Sequence, residues 1–149
     1  MKIAIYGAGA IGGYLGAMLS KAGEEVSLIA RGPHLAAIQA SGLALDIGGE
    51  RIMTHPVATD NPAELGEQDF VIVALKAHSA VHVVEAMQPL LGKDTAVVTA
   101  MNGVPWWYFY SLSGEWGNRC IESVDPGGRQ WSGLGPERAI GCVVYPACE

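Results

Sequence analysis

The chain of 149 residues is 50% hydrophobic and 16% charged, and 15 acidic against 9 basic side chains leave a net charge of −6. A chain of this length buries about 68–70% of the surface that its unfolded form exposes, so it needs neither disulfides nor a metal to hold a core, and disorder is not expected. The acidic balance without a Lys/Arg cluster argues against nucleic acid as a partner, because phosphate neutralisation dominates such affinities.

Lys2 to Tyr6 is a β-rich run, apolar except for its first residue. Ile11 to Ala22 is rich in Ala, Leu and Met, with Leu15, Met18 and Leu19 spaced for one helical face, and it closes at Gly23. The pair predicts a strand, a glycine turn and a helix. Val26 to Ala30 predicts a second buried strand and Leu35 to Ala40 a short helix, while Leu43 to Ile47 and Arg51 to His55 predict a hairpin around Gly48-Gly49. Phe70 to Leu75 is continuously apolar, as expected of a strand buried on both faces, and Ser79 is placed to cap a helix over Ala80 to Met87. Thr95 to Ala100 predicts another central strand that leads into Asn102-Gly103. Beyond Pro105 the periodicity breaks: all 4 tryptophans of the chain lie between Trp106 and Trp131, among many glycines, which predicts an elaborated loop region. Ala139 to Tyr145 predicts a last strand. Strands alternating with helices give the α/β class, with a mostly parallel sheet covered by helices on both faces.

No apolar run reaches the ~18 residues of a membrane-spanning helix, and the first strand opens without the parts of a secretory leader. A cytoplasmic location with no membrane partner is therefore expected. The 3 cysteines, Cys120, Cys142 and Cys148, form no Cys-x-x-Cys pair, so reduced thiols are expected rather than a disulfide framework or a zinc site. His78 and His82 stand four apart without a third ligand at motif spacing, and no metal is expected.

Gly7-Ala8-Gly9-Ala10-Ile11-Gly12 is a Gly-x-Gly-x-x-Gly at a strand-to-helix junction. The first glycine allows the tight turn, the second lets backbone approach a pyrophosphate, and the third lets helix and strand pack closely. The helix N-terminus then offers its unpaired N–H groups to the phosphates. This is the pattern of a Rossmann-type, doubly wound dinucleotide fold, although such a turn can also be purely structural. An acid that would bind both ribose hydroxyls of NAD falls due near Ala30 and is absent, whereas Arg31 follows at once with His34 behind it. A guanidinium there fits a 2′-phosphate and favours NADP, the alternative being a solvated surface arginine.

Lys2 to Gly12, Ile29-Ala30-Arg31-Gly32, Ala74-Leu75-Lys76-Ala77, Met101-Asn102-Gly103 and Gly141 to Ala147 together resemble the N-terminal domain of ketopantoate reductases (2-dehydropantoate 2-reductases) across nearly the whole chain. The resemblance implies NADPH-dependent reduction of a branched 2-oxo acid to its 2-hydroxy acid, in pantothenate and coenzyme A synthesis. Carried over by position, it implies a phosphate loop of Gly7, Ala8, Gly9, Ala10, Ile11 and Gly12, with Arg31 facing the 2′-phosphate and Lys76 lying along the cofactor. Asn102 would sit where nicotinamide ribose and substrate meet, and Ala147 would line the cofactor cleft. Residues 1–149 would form the dinucleotide-binding domain. The resemblance puts the catalytic lysine and a substrate-binding acid in a helical C-terminal domain absent from this chain; the sequence leaves the oligomeric state open, a homodimer of the full-length enzyme being one option. Two features depart from the family pattern: Met101 replaces a polar residue before Asn-Gly, and the stretch from Trp106 to Pro136 is longer than in compact members.

Read without the resemblance, Lys76 could simply emerge into water and Asn102-Gly103 could be a plain turn. The run Trp106-Trp107-Tyr108-Phe109-Tyr110 predicts a short helix carrying an aromatic patch, either core-facing or a contact surface. Two rival functions remain: a stand-alone NADP-binding regulatory module, and a dehydrogenase acting on a different 2-oxo or 3-hydroxy acid.

Overall fold

Strands β1 (Lys2–Tyr6) and β2 (Glu25–Ile29) run parallel and bury every residue but their first, as strands covered on both faces must. Between them lies helix α1 (Ala10–Lys21). The computed structural model describes residues 1–148. Helix α2 (Gly32–Ser41) follows β2 and starts earlier than the sequence pattern implied, with Pro33 in its first turn, where a missing N–H costs nothing. Strands β3 (Leu43–Ile47) and β4 (Glu50–Thr54) form the expected antiparallel hairpin, with Gly48 and Gly49 both at positive φ. Then come β5 (Val57–Thr59), β6 (Gln68–Val73), the one-turn helices α3 (Ala77–Ala80) and α4 (Val84–Met87), and the long strand β7 (Leu91–Ala100). Helix α5 (Arg129–Leu134) and strand β8 (Ala139–Cys142) follow.

The main sheet has six strands in the order β5-β2-β1-β6-β7-β8, and every pairing is parallel. This is the doubly wound order, in which the chain leaves β1 toward one edge and returns beside it to build the other. The period of two along β1 feeds two cores. Ile3 and Ile5 pack with Ala17 of α1 and with Leu35 and Ile38 of α2. Ala4 and Tyr6 pack on the opposite face with Ala80, Val84, Met87, Leu134 and Trp106. Gly16 lets α1 lie close on the sheet, since a Cβ there would stand 2.8 Å from Leu28 Cδ2.

Several elements differ from the sequence reading. β5 was not visible, because three residues carry too little pattern to read. Ser79 does not cap a helix over 80–87; α3 begins three residues earlier, at Ala77 behind Lys76, and the helix breaks at Val83, whose φ of −111° and ψ of 4° are not helical. The β-branched run Val81, Val83, Val84 weakens the helix there. The aromatic run is not a helix but successive turns, with Tyr108 N–H donating to the Pro105 carbonyl and Tyr110 N–H to that of Trp107. Its side chains divide, Trp106 being buried while Tyr108 and Tyr110 are exposed. Within the expected loop region, α5 forms because the buried Asp125 carboxylate accepts from the N–H groups of Gln130 at 2.8 Å and Trp131 at 2.9 Å. The last strand stops at Cys142 rather than Tyr145.

Candidate functional site

The turn after β1 is fixed from both sides, since the Tyr6 carbonyl accepts from Ala74 N–H at 3.0 Å and Gly7 N–H donates to the Ile29 carbonyl at 3.1 Å. Gly7 then takes a φ of +101°, and a Cβ there would stand 2.5 Å from Leu75 Cδ2. A Cβ on Gly12 would fall on the Gly7 carbonyl oxygen. The fold itself therefore demands these two glycines. Gly9 is different: its φ of −70° suits any residue, and nothing lies within 4 Å of an added Cβ. It precedes a helix of 12 residues with no side-chain cap and no acid in the first turn, so the α1 N–H groups stay available to an anion.

Beside this turn a cavity of about 510 Å³ opens at the carboxyl ends of β1, β2 and β6, where the winding of the sheet reverses. Tyr6, Gly7, Ala8, Arg31, His34 and Asp60 line one part, and Leu75, Ser79, His82 and Val83 another. Arg31 is exposed, immediately precedes α2 and makes no side-chain cap bond. The ion pairs among the described residues, N-terminus to Glu24 and Arg51 to Asp46, leave its guanidinium free. Burial pushes the Tyr6 phenol above its ordinary value, and the Arg31 charge opposes that rise. His34 reaches across the cavity wall to the Ala8 carbonyl at 2.7 Å.

The structure brings Gly7, Ala8 and Arg31 together at this cavity and places Gly9, Ala10, Ile11 and Gly12 at the start of α1 beside it. Lys76 is exposed directly before α3, where its carbonyl accepts from Ser79 N–H at 2.8 Å. Asn102 is also outside the cavity lining: its Nδ2 donates to the Val144 carbonyl at 2.9 Å and its Oδ1 accepts from Val144 N–H at 2.8 Å. It borders instead a small void of about 20 Å³ shared with Ala77, Thr99 and Trp106, so the surroundings of Lys76 and Asn102 adjoin. Ala147 is exposed and not among the lining residues of the cavity. Sequence reasoning missed Asp60, which follows the unseen β5, and gave Ser79 and His82 other roles; no local pattern marks any of the three as a cleft residue. Among the described residues, no three His, Cys, Asp or Glu side chains cluster to hold a metal, and no helix is long and apolar enough to cross a membrane.

Residues 3–105 match the family model "Ketopantoate reductase PanE/ApbA". A 2-dehydropantoate 2-reductase of Mesorhizobium japonicum is 53% identical over 150 residues, covering 100% of this chain and 46% of that protein. The crystal structure of a candidate ketopantoate reductase from Ralstonia solanacearum superposes with a TM-score of 0.92 at 46% identity, over 99% of this chain and 46% of its own. A D-mandelate dehydrogenase solved with NADH and anilino(oxo)acetate matches with a TM-score of 0.64 at 34% identity, over 70% of this chain and 34% of its own. The chain thus spans less than half the length of these relatives.

Proposed function

The chain belongs to the ketopantoate reductase family, NAD(P)H-dependent oxidoreductases, and we propose from that premise that it is the cofactor-binding part of an NADPH-dependent 2-dehydropantoate 2-reductase. The observation that carries this reading is Gly9: the fold leaves the space beside its backbone empty and does not itself require glycine there, which leaves the start of α1 open to close approach by a pyrophosphate. The residues present fit a dinucleotide. The backbone from Gly7 to Gly12 and the uncapped start of α1 would take the pyrophosphate, and Arg31, in no ion pair among the described residues, would take the 2′-phosphate.

NADPH would supply the hydride that turns the 2-oxo carbonyl into a hydroxyl. The chain's own residues bind and orient: Lys76 would lie along the cofactor, Asn102 would meet the nicotinamide ribose and the substrate, and Ala147 would border the cleft. The Asn102 amide keeps one N–H and one acceptor lone pair after its bonds to Val144, enough for that contact. A developing alkoxide needs a proton donor within hydrogen-bond reach, a contribution of roughly 10²–10⁴-fold. We assign that donor and the substrate-binding acid to a helical C-terminal domain of the full-length protein, which works in the cytoplasm as a homodimer.

Titration calorimetry tests the cofactor. Wild type should bind NADPH more tightly than NADH by roughly 10- to 150-fold, the contribution of charge-assisted hydrogen bonds, and Arg31→Ala should erase most of the difference. Equal affinities in wild type would overturn the NADP assignment. Following NADPH absorbance with excess ketopantoate should show turnover by the full-length enzyme and none by residues 1–149 alone. A second reading, a dehydrogenase of another 2-oxo acid, is favoured by the likeness to D-mandelate dehydrogenase. A panel of branched and aromatic 2-oxo acids separates the two by kcat/KM.

A further inference from the structure

The hydrogen bond between His34 and Ala8 joins the two loops that the cofactor reading assigns to different phosphates, and it is explained by neither loop alone. A carbonyl oxygen only accepts, so His34 Nε2 carries the hydrogen and donates it to the Ala8 oxygen at 2.7 Å. The Ala8 carbonyl and the Gly9 N–H belong to one planar trans peptide, in which they point in opposite directions. Pinning the oxygen therefore also fixes the direction of the Gly9 N–H. That peptide has glycine on both sides of Ala8, so the local backbone is unusually free to rotate and has most to gain from an external clamp.

The clamp has a firm base. His34 stands in the first turn of α2, and the next residues of that helix facing the sheet, Leu35 and Ile38, are buried in the core. Arg31 directly precedes the same helix, and Arg31, His34 and Ala8 line the same cavity. We propose that His34 is a positioning residue that locks the phosphate loop to the loop carrying Arg31, so that a dinucleotide bearing a 2′-phosphate meets one preset surface rather than two loops that must be ordered on binding. This rests on the dinucleotide reading above and deepens it, naming the residue that couples the two ends of the ligand.

The test compares NADPH, which spans both loops, with adenosine 2′-monophosphate, which reaches only the Arg31 side. In the full chain, His34→Ala should weaken NADPH about five- to tenfold, the worth of one ordering hydrogen bond, and leave adenosine 2′-monophosphate within about twofold. His34→Gln, whose side-chain Nε2 can donate to the same carbonyl, should bring NADPH back to within about twofold of wild type. Unchanged NADPH affinity in His34→Ala would overturn the proposal, as would failure of Gln to rescue. A parallel loss of adenosine 2′-monophosphate would overturn it too, by making His34 a direct phosphate ligand or a general support of the fold. Wild type that binds no NADPH would sink the dinucleotide reading itself, an outcome told apart because it needs no variant.

Discussion

Asn102 grips the backbone of Val144 with both halves of its amide, donating to the carbonyl at 2.9 Å and accepting from the N–H at 2.8 Å. The contact ties the end of β7 to the segment leaving β8, two residues past the point where the sheet pairing stops. An amide matches a peptide group in this way, and a carboxylate, which only accepts, cannot replace both bonds.

Asn102→Ala should therefore free the segment after Cys142. Two exposed hydrogen bonds contribute about 1–2 kcal/mol together, which corresponds to a fall in Tm of about 2–8 °C for a domain of this size. Amide exchange at Val144 should accelerate by at least about tenfold, while amides in β1 stay protected. Asn102→Asp should behave no better than Ala, because a carboxylate oxygen would face the Val144 carbonyl. Retained protection in either variant would show that the segment is held by something else.

The glycines of the turn should separate by experiment. Gly9→Val should keep the melting temperature within a few degrees of wild type and abolish NADPH binding, since its side chain has space in the protein but not beside a pyrophosphate. Gly12→Ala should do the reverse in order, lowering stability by about 1–3 kcal/mol through a clash with the Gly7 carbonyl and losing binding only as a consequence. Calorimetry alongside thermal denaturation reads both. Cofactor binding by Gly9→Val would place the phosphates elsewhere.

Tyr6 gives a pH dependence with a definite sign. Its phenol is raised by burial, so the folded protein holds that proton more tightly than the unfolded chain does. The associated stability is present in full below the unfolded tyrosine value of about 10 and is lost as the pH climbs through the higher folded value. Tm should thus fall above about pH 10 in wild type and fall less in Tyr6→Phe. Because the Arg31 charge lowers the Tyr6 value, Arg31→Ala should push it higher still, readable as the phenolate difference spectrum against Tyr6→Phe. Parallel pH profiles for wild type and Tyr6→Phe would refute the link.

Asp125 should be the costliest polar side chain to remove outside the cleft. It is fully buried and accepts two N–H groups at the start of α5, so Asp125→Ala leaves both donors unsatisfied. The expected loss is about 1–3 kcal/mol, seen as a lower urea midpoint with an unchanged slope. Asp125→Asn, which retains one acceptor, should fall between. A midpoint unchanged in Asp125→Ala would mean that water replaces the carboxylate.

The sequence by itself determined β1, the glycine turn, α1 and the position of Arg31 after β2, because each is written in a few adjacent residues. Alternation and helical spacing mark which residues seek the core, and a glycine turn is a local backbone demand. It also determined the class, since apolar runs alternating with helices have few ways to cover both faces of a sheet. Tertiary structure alone decided β5, which is too short to signal itself and exists only because β2 offers an open edge. The break between α3 and α4 draws on both, since the valine run weakens the helix locally while Ala80, Val84 and Met87 are held in the core beside β1 and β6. Tertiary structure also decided how the site is held together. His34 meets Ala8 across 26 residues of chain and Asn102 meets Val144 across 42, and no pattern of adjacent residues encodes a hydrogen bond between groups that only the assembled sheet brings within reach.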